Sequence, residues 1–130
     1  MRPACLVLLL PALFAAPSLT ALLSTMASEA AVVWLLARLF GFEAGAAMFA
    51  SAFINAVTQP LLYASMLRLP GFGGPDWWLW QLGAELVVCL AESGLWAVAL
   101  SRRGASTRRI LLFGWVPNLF STLLGLLFPF

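Results

Sequence analysis

Histidine is absent from this 130-residue chain, aspartate occurs once, as Asp76, and cysteine only as Cys5 and Cys89. Without histidine the commonest metal ligand and the usual general base are missing. Zinc proteases, histidine-dependent triads and histidine-ligated haem are therefore excluded as readings. A lone aspartate rules out an aspartyl dyad. The cysteines form no C-x-x-C pair, and Cys89 lies in a helical apolar run, so no disulfide framework is implied. No nucleophile stands beside a visible base, and neither an enzyme nor a cofactor is expected. Charge is scarce as well: 9% of residues are charged, 63% are hydrophobic, and the net charge is +2. A soluble domain carries about 25% charged residues, and a small fold exposes too much surface to hide that deficit. Lipid is the expected surrounding. The net charge is too small for a nucleic-acid footprint, so no nucleic-acid partner is expected.

The apolar residues fall into runs. Residues 1–17 carry Arg2 and then a short apolar stretch broken by Pro11 and Pro17. Spanning needs about 20 apolar residues, so this segment reads as a secretory signal peptide or, alternatively, an uncleaved leading helix. Residues 18–130 form the expected transmembrane domain, with helices over about 19–40, 46–67, 78–101 and 110–129. A Gly- and Pro-rich loop separates the second from the third. Trp77, Trp78 and Trp80 stand after it, where an aromatic belt belongs. Arg102, Arg103, Arg108 and Arg109 make the next loop basic and place it in the cytoplasm by the positive-inside rule. Anionic headgroups are its expected lipid contact.

Within these runs the polar residues stand out. Gln81 to Trp96 is apolar enough for lipid yet holds Glu85 and Glu92. Seven residues make almost two helical turns, so both carboxyls share a face. Glu29, Asn55, Gln59 and Asn118 complete the polar set at membrane depth. Asn55, Thr58 and Gln59 share a face of the second helix by spacing. Gly114, Asn118, Ser121 (or Thr122) and Gly125 form a small and polar stripe on the fourth, of the kind that lets backbones approach closely. A charged side chain at this depth costs several kcal/mol unless it meets protein, water or a partner. A metal here would have only Glu, Asn and Gln oxygens, which suit hard cations such as Mg²⁺, Ca²⁺ or Na⁺.

The rare polar residues also repeat. Asn55 and Asn118 are 63 positions apart (118 − 55), as are Glu29 and Glu92 (92 − 29). At the same offset Thr58 matches Ser121 and Gly41 matches Gly104. Two tandem two-helix units are the expected arrangement, with a pseudo-axis along the membrane normal.

The segments SEAAVV, NAVTQPLL, AELVVCLAE and NLFSTLLGLL resemble a pattern in uncharacterised bacterial four-helix membrane proteins, with Glu early in the odd helices and Asn-x-x-Ser/Thr in the even ones. The resemblance covers residues 19 to 128 and brings no established activity. It implies an all-α integral membrane bundle, multi-pass in the bacterial inner membrane. Two functions fit. The favoured one is an accessory or assembly subunit of a membrane complex, its polar residues gluing helices together. The alternative is an oligomeric proton- or cation-linked transporter or channel using the Glu/Asn cluster. The expected partners are membrane lipid and either further copies of the chain or other membrane subunits.

Overall fold

The computed structural model describes residues 16–66, 68 and 77–127, and these are almost entirely helical. Helix α1 is Ala16–Phe40, α2 Ala44–Met66, α3 Trp77–Leu100 and α4 Thr107–Leu127, with a short 3-10 turn, Ser101–Arg103, after α3. The expected signal-like segment lies outside the described residues except for Ala16 and Pro17, which open α1. The Gly- and Pro-rich loop and residues 128–130 also lie outside them. Pro60 and Pro117 sit within α2 and α4. Helix α4 begins three residues before the expected start, because Ser106 caps it. Its hydroxyl accepts the Arg109 N–H at 3.4 Å. Arg108 and Arg109 therefore belong to the first turn of α4. Only Arg102 and Arg103 of the expected basic loop precede Gly104, and all four side chains are exposed.

Both helix-to-helix turns are built alike. Helix α1 stops at Gly41, whose φ of 74° is natural for glycine. The Phe42 N–H then returns to the Ala37 carbonyl at 2.9 Å, closing the turn in Schellman fashion. After the 3-10 turn, Gly104 takes a φ of 73° and the Ala105 N–H returns to the Leu100 carbonyl at 3.3 Å. Each of these positions in the second turn is its first-turn counterpart plus 63.

The four helices form a ring in which α1 packs on α2 and α4, and α3 packs on the same two. Phe113, near the start of α4, is fully buried against Trp96 at 5.0 Å, Phe42 at 5.8 Å and Phe40 at 6.3 Å between ring centroids. These contacts bring the Gly41 and Gly104 turns to one end of the bundle. A two-fold relation between the halves therefore runs along the bundle's length. The apolar core, with Val33, Leu36, Ala37, Ile54, Trp96 and Leu100, lies toward that end.

The rest of the interior is polar. Glu29, Ser51, Asn55, Thr58, Glu92, Ser93 and Asn118 are buried, while Phe49, Leu39, Val98 and Leu127 are each more than two-thirds exposed. Water would penalise such an apolar exterior; a bilayer favours it. Three helical stretches, Leu19–Phe40, Ala44–Leu62 and Leu82–Arg103, are long and apolar enough to cross a membrane. This all-α four-helix fold fits a membrane protein.

Candidate functional site

Glu29 and Glu92 occupy the same place in their spans. Each is the eleventh residue of a 22-residue apolar stretch, Leu19–Phe40 or Leu82–Arg103. At about 1.5 Å per residue each glutamate stands midway along a stretch long enough to cross a bilayer. Both are buried within the bundle, where a polar group needs an internal partner.

Glu92 finds two. The Thr58 hydroxyl of α2 donates to its Oε1 at 2.7 Å, and the Asn118 amide of α4 donates to its Oε2 at 2.5 Å. Thr58 Oγ1 also lies 3.0 Å from the Ile54 carbonyl one turn back, which fixes its rotamer. Asn118 Nδ2 gives its second hydrogen to the Gly114 carbonyl at 2.9 Å. Helix α3 thus clasps α2 through a hydroxyl and α4 through an amide.

Glu29 is held by the matching pair. The Ser121 hydroxyl of α4 donates to its Oε1 at 2.7 Å, and Asn55 of α2 lies beside it in looser contact. Asn55 Nδ2 donates to the Ser51 carbonyl at 3.1 Å, as Asn118 does to that of Gly114. Shifting every number by 63 converts one centre into the other. Glu29 takes its hydroxyl from the second half, and Glu92 takes its hydroxyl from the first. Such a reciprocal exchange is the signature of a two-fold relation, in which i meets j and j meets i. Each carboxyl borrows the hydroxyl of the other half, and Glu92 also bonds the amide of its own. Ser121 also reaches the Asn118 carbonyl at 3.0 Å, which links the two centres through α4.

Two atoms are left over. Asn55 Oδ1 and Asn118 Oδ1 are buried without a hydrogen-bond partner. The i−4 carbonyls hold the NH₂ end of each amide, so rotating the amide group would set oxygen against oxygen. The orphan acceptors are therefore a consequence of the local helix geometry.

The other expected residues lie further out. Glu85 is half-buried, two turns before Glu92 on the same helix, close enough for its charge to act on both Glu29 and Glu92. Gln59 is half-buried, and neither it nor Glu85 makes a hydrogen bond among the described residues. Cys89, between the two carboxyls of α3, is buried and free. Glu29 with Ser121 and Asn55, and Glu92 with Thr58 and Asn118, thus come together, while Glu85 and Gln59 stand at the edge.

Within the described residues the α4 stripe packs unevenly. Gly114 is a true close approach, since a Cβ there would lie 2.9 Å from the Ser93 backbone. Asn118 and Ser121 carry polar chemistry. Gly125 is exposed, with nothing within 4 Å of its Cβ position among the described residues. Thr58 is the contributor that periodicity alone undervalued; its 63-residue match to Ser121 was the available signal. Ser93 and Ser51 had no such sign.

Comparison of the chain with protein-family models, curated proteins and solved structures gave no match.

Proposed function

We propose that this chain is a four-span protein of the bacterial inner membrane that moves protons or small cations through the duplicated Glu centre. It acts as a homo-oligomer or beside other membrane subunits, without enzymatic activity. The observation that carries this reading is the reciprocal exchange of hydroxyls, Thr58 to Glu92 and Ser121 to Glu29. It sets two equivalent carboxyl sites at mid-membrane on the seam between repeats, where parallel-repeat transporters place their coupling sites. Mere glue would not need an acid. Glutamine has the same shape and brings no ionisable group into lipid, yet both halves carry glutamate. Glu85, nearer the opposite end from the Gly41 and Gly104 turns, supplies a third ionisable group on the way out. The four exposed arginines mark the cytoplasmic end.

The test is flux in proteoliposomes under an imposed potential, read with an internal pH dye and with radioactive sodium. Wild-type protein is expected to conduct or exchange one of these ions. Glu29→Gln and Glu92→Gln should each reduce the flux at least about tenfold, the effect of about 1.4 kcal/mol on a barrier, while thermal unfolding in detergent stays cooperative. Folded Gln variants with undiminished flux would overturn the proposal.

One observation favours a second reading, the accessory subunit. Both oxygens of Glu92 already have partners within the chain, as an interhelical clasp would require. Such clasps contribute about 0.6 kcal/mol each in membrane bundles. Co-purification of the folded chain with a fixed set of other membrane subunits, and an absence of flux from the chain alone, would support it.

A further inference from the structure

We infer that the ion held at each centre is a proton, carried on Oε1 of Glu29 and of Glu92 and exchanged past the hydroxyl beside it. The inference rests on the transport reading and names its ion. Ser121 and Thr58 are the positioning residues. Each hydroxyl turns between two settings, one for the protonated acid and one for the carboxylate.

Three observations carry it. The first is a count of hydrogens. Thr58 Oγ1 lies 2.7 Å from Glu92 Oε1 and 3.0 Å from the Ile54 carbonyl oxygen. Both are hydrogen-bond separations, yet a hydroxyl owns a single hydrogen. Beside a carboxylate, one of the two contacts is left without a hydrogen. Beside a protonated acid both are filled. Glu92 Oε1–H donates to Thr58 Oγ1, Thr58 donates to the Ile54 carbonyl, and the Asn118 amide still donates to Glu92 Oε2. Second, the count repeats. Ser121 Oγ lies 2.7 Å from Glu29 Oε1 and 3.0 Å from the Asn118 carbonyl oxygen. That carbonyl is three residues back along the helix, whereas the Ile54 carbonyl is four residues behind Thr58. Different local geometries thus build the same row of acid, hydroxyl and carbonyl in both halves. Third, no cation stands beside either acid. Every basic residue of the chain is an arginine, and among the described residues these lie at helix ends or in turns. The ionisable groups around the two acids are each other, Glu85 and Cys89. From α2 and α4 only hydroxyls and amides face them among the described residues. An unpaired carboxylate in such company is costly. A proton removes its charge and fits inside an existing hydrogen bond, so the buried centre needs no cavity to hold it. Loading conserves every atom. The incoming proton bonds to Oε1 of the carboxylate, the Thr58 hydrogen swings from Oε1 to the Ile54 carbonyl, and the new Oε1–H donates to Oγ1. Release runs the same steps backwards.

The experiment is infrared difference spectroscopy of the full-length protein in lipid nanodiscs, in light and heavy water, with proton and sodium flux measured in liposomes from the same preparation. In neutral buffer the wild type should show the C=O stretch of protonated carboxyls, with one component lost in Glu29→Gln and another in Glu92→Gln. Thr58→Val keeps nearly the same shape and removes the hydroxyl. It should move the Glu92 component to higher frequency, because the acid loses the acceptor of its O–H. It should also slow proton flux about tenfold, the effect of one hydrogen bond lost at the barrier. Thr58→Ser should restore both. A threonine that only packs would leave the band where it was. Ser121→Ala should move the Glu29 component in the same way. Folding of each variant is checked by its unfolding profile, and the wild-type spectrum decides the matter even where a variant does not fold. Folded wild-type protein with no protonated-carboxyl component from Glu29 or Glu92 would overturn the inference, as would a Glu92 component unmoved in folded Thr58→Val. Sodium flux through ionised carboxyls would sink this inference and leave the transport proposal standing. Hydroxyl-dependent protonated bands without any flux would do the reverse.

Discussion

At the turn of the first half, Glu43 caps α2 with a carboxylate that accepts the N–H groups of Gly45 and Ala46. At the matching turn of the second half, Ser106 caps α4 with a hydroxyl. The aromatic anchors differ more. Trp96 and Phe113 fill the core of the second half, where the first has Val33 and Ala50 at the same offset. Gly114 lets α4 press on Ser93, whereas its counterpart Ser51 already carries a side chain. The polar positions differ hardly at all: Glu for Glu, Asn for Asn, Thr for Ser. Apolar packing in lipid has many solutions of similar energy, so the halves have diverged there. A buried hydrogen-bonded carboxyl has few solutions, because every atom needs a partner at a fixed distance and direction.

The contrast can be broken most strongly at Gly114. Gly114→Ala forces a Cβ against the Ser93 backbone, and overpacking of this kind costs about 1–3 kcal/mol. The matched change in the first half, Ser51→Ala, removes a small side chain and should cost much less. Gly125→Ala, in open space, should be neutral or slightly stabilising. Equilibrium unfolding in mixed detergent micelles measures all three; equal losses would show that the second half packs no more closely than the first.

A second test compares the amides. Asn118 makes a formed bond to Glu92 and Asn55 only a loose contact with Glu29. Asn118→Leu should therefore destabilise by about 1–3 kcal/mol, the cost of leaving a buried carboxyl oxygen unpaired, and Asn55→Leu by distinctly less in the same assay. A third sharpens the likeness. Gly41→Ala and Gly104→Ala both place a side chain at positive φ, which costs about 1–2 kcal/mol each. The two losses should agree within a few tenths, and a wide difference would mean that one turn bears more of the fold than the other.

The smallest effect is the pH dependence of the caps. The two backbone N–H groups hold the Glu43 carboxyl below its ordinary value of 4.5, with Arg103 assisting. A lowered folded-state pKa contributes stability above the unfolded value, lost as pH falls through the folded one. Glu43→Gln should therefore weaken the protein slightly at neutral pH, and the gap to wild type should close in acid below about 4. The hydroxyl of Ser106 does not titrate, so Ser106→Ala should cost the same at both pH values.

Much of this was legible in the chain. Long apolar runs bounded by Gly41, Glu43 and Gly104 marked the helices, and α1, α2 and α3 begin and end within a few residues of expectation. The repeat could be read from Glu29, Asn55 and their partners because polar residues are rare in such a sequence and their spacing is therefore informative. What could not be read was rotation. Each helix is apolar on nearly all sides, so its inward face is not marked by a hydrophobic stripe. The periodicity of α2 put Gln59 beside Asn55 as readily as Thr58, and only the packed ring turns Thr58 toward Glu92. Arg108 and Arg109 read as loop because a cap such as Ser106 shifts a boundary by a turn without altering composition.

The division of partners at the two carboxyls has a mechanical corollary. Each acid shares a half with its neighbouring amide, while its hydroxyl partner belongs to the opposite half. Any rocking of the halves along their seam would strip Thr58 and Ser121 away in a single stroke and leave the amides attached. The two carboxyls are thus geared to lose their hydroxyl partners as a pair, never in turn.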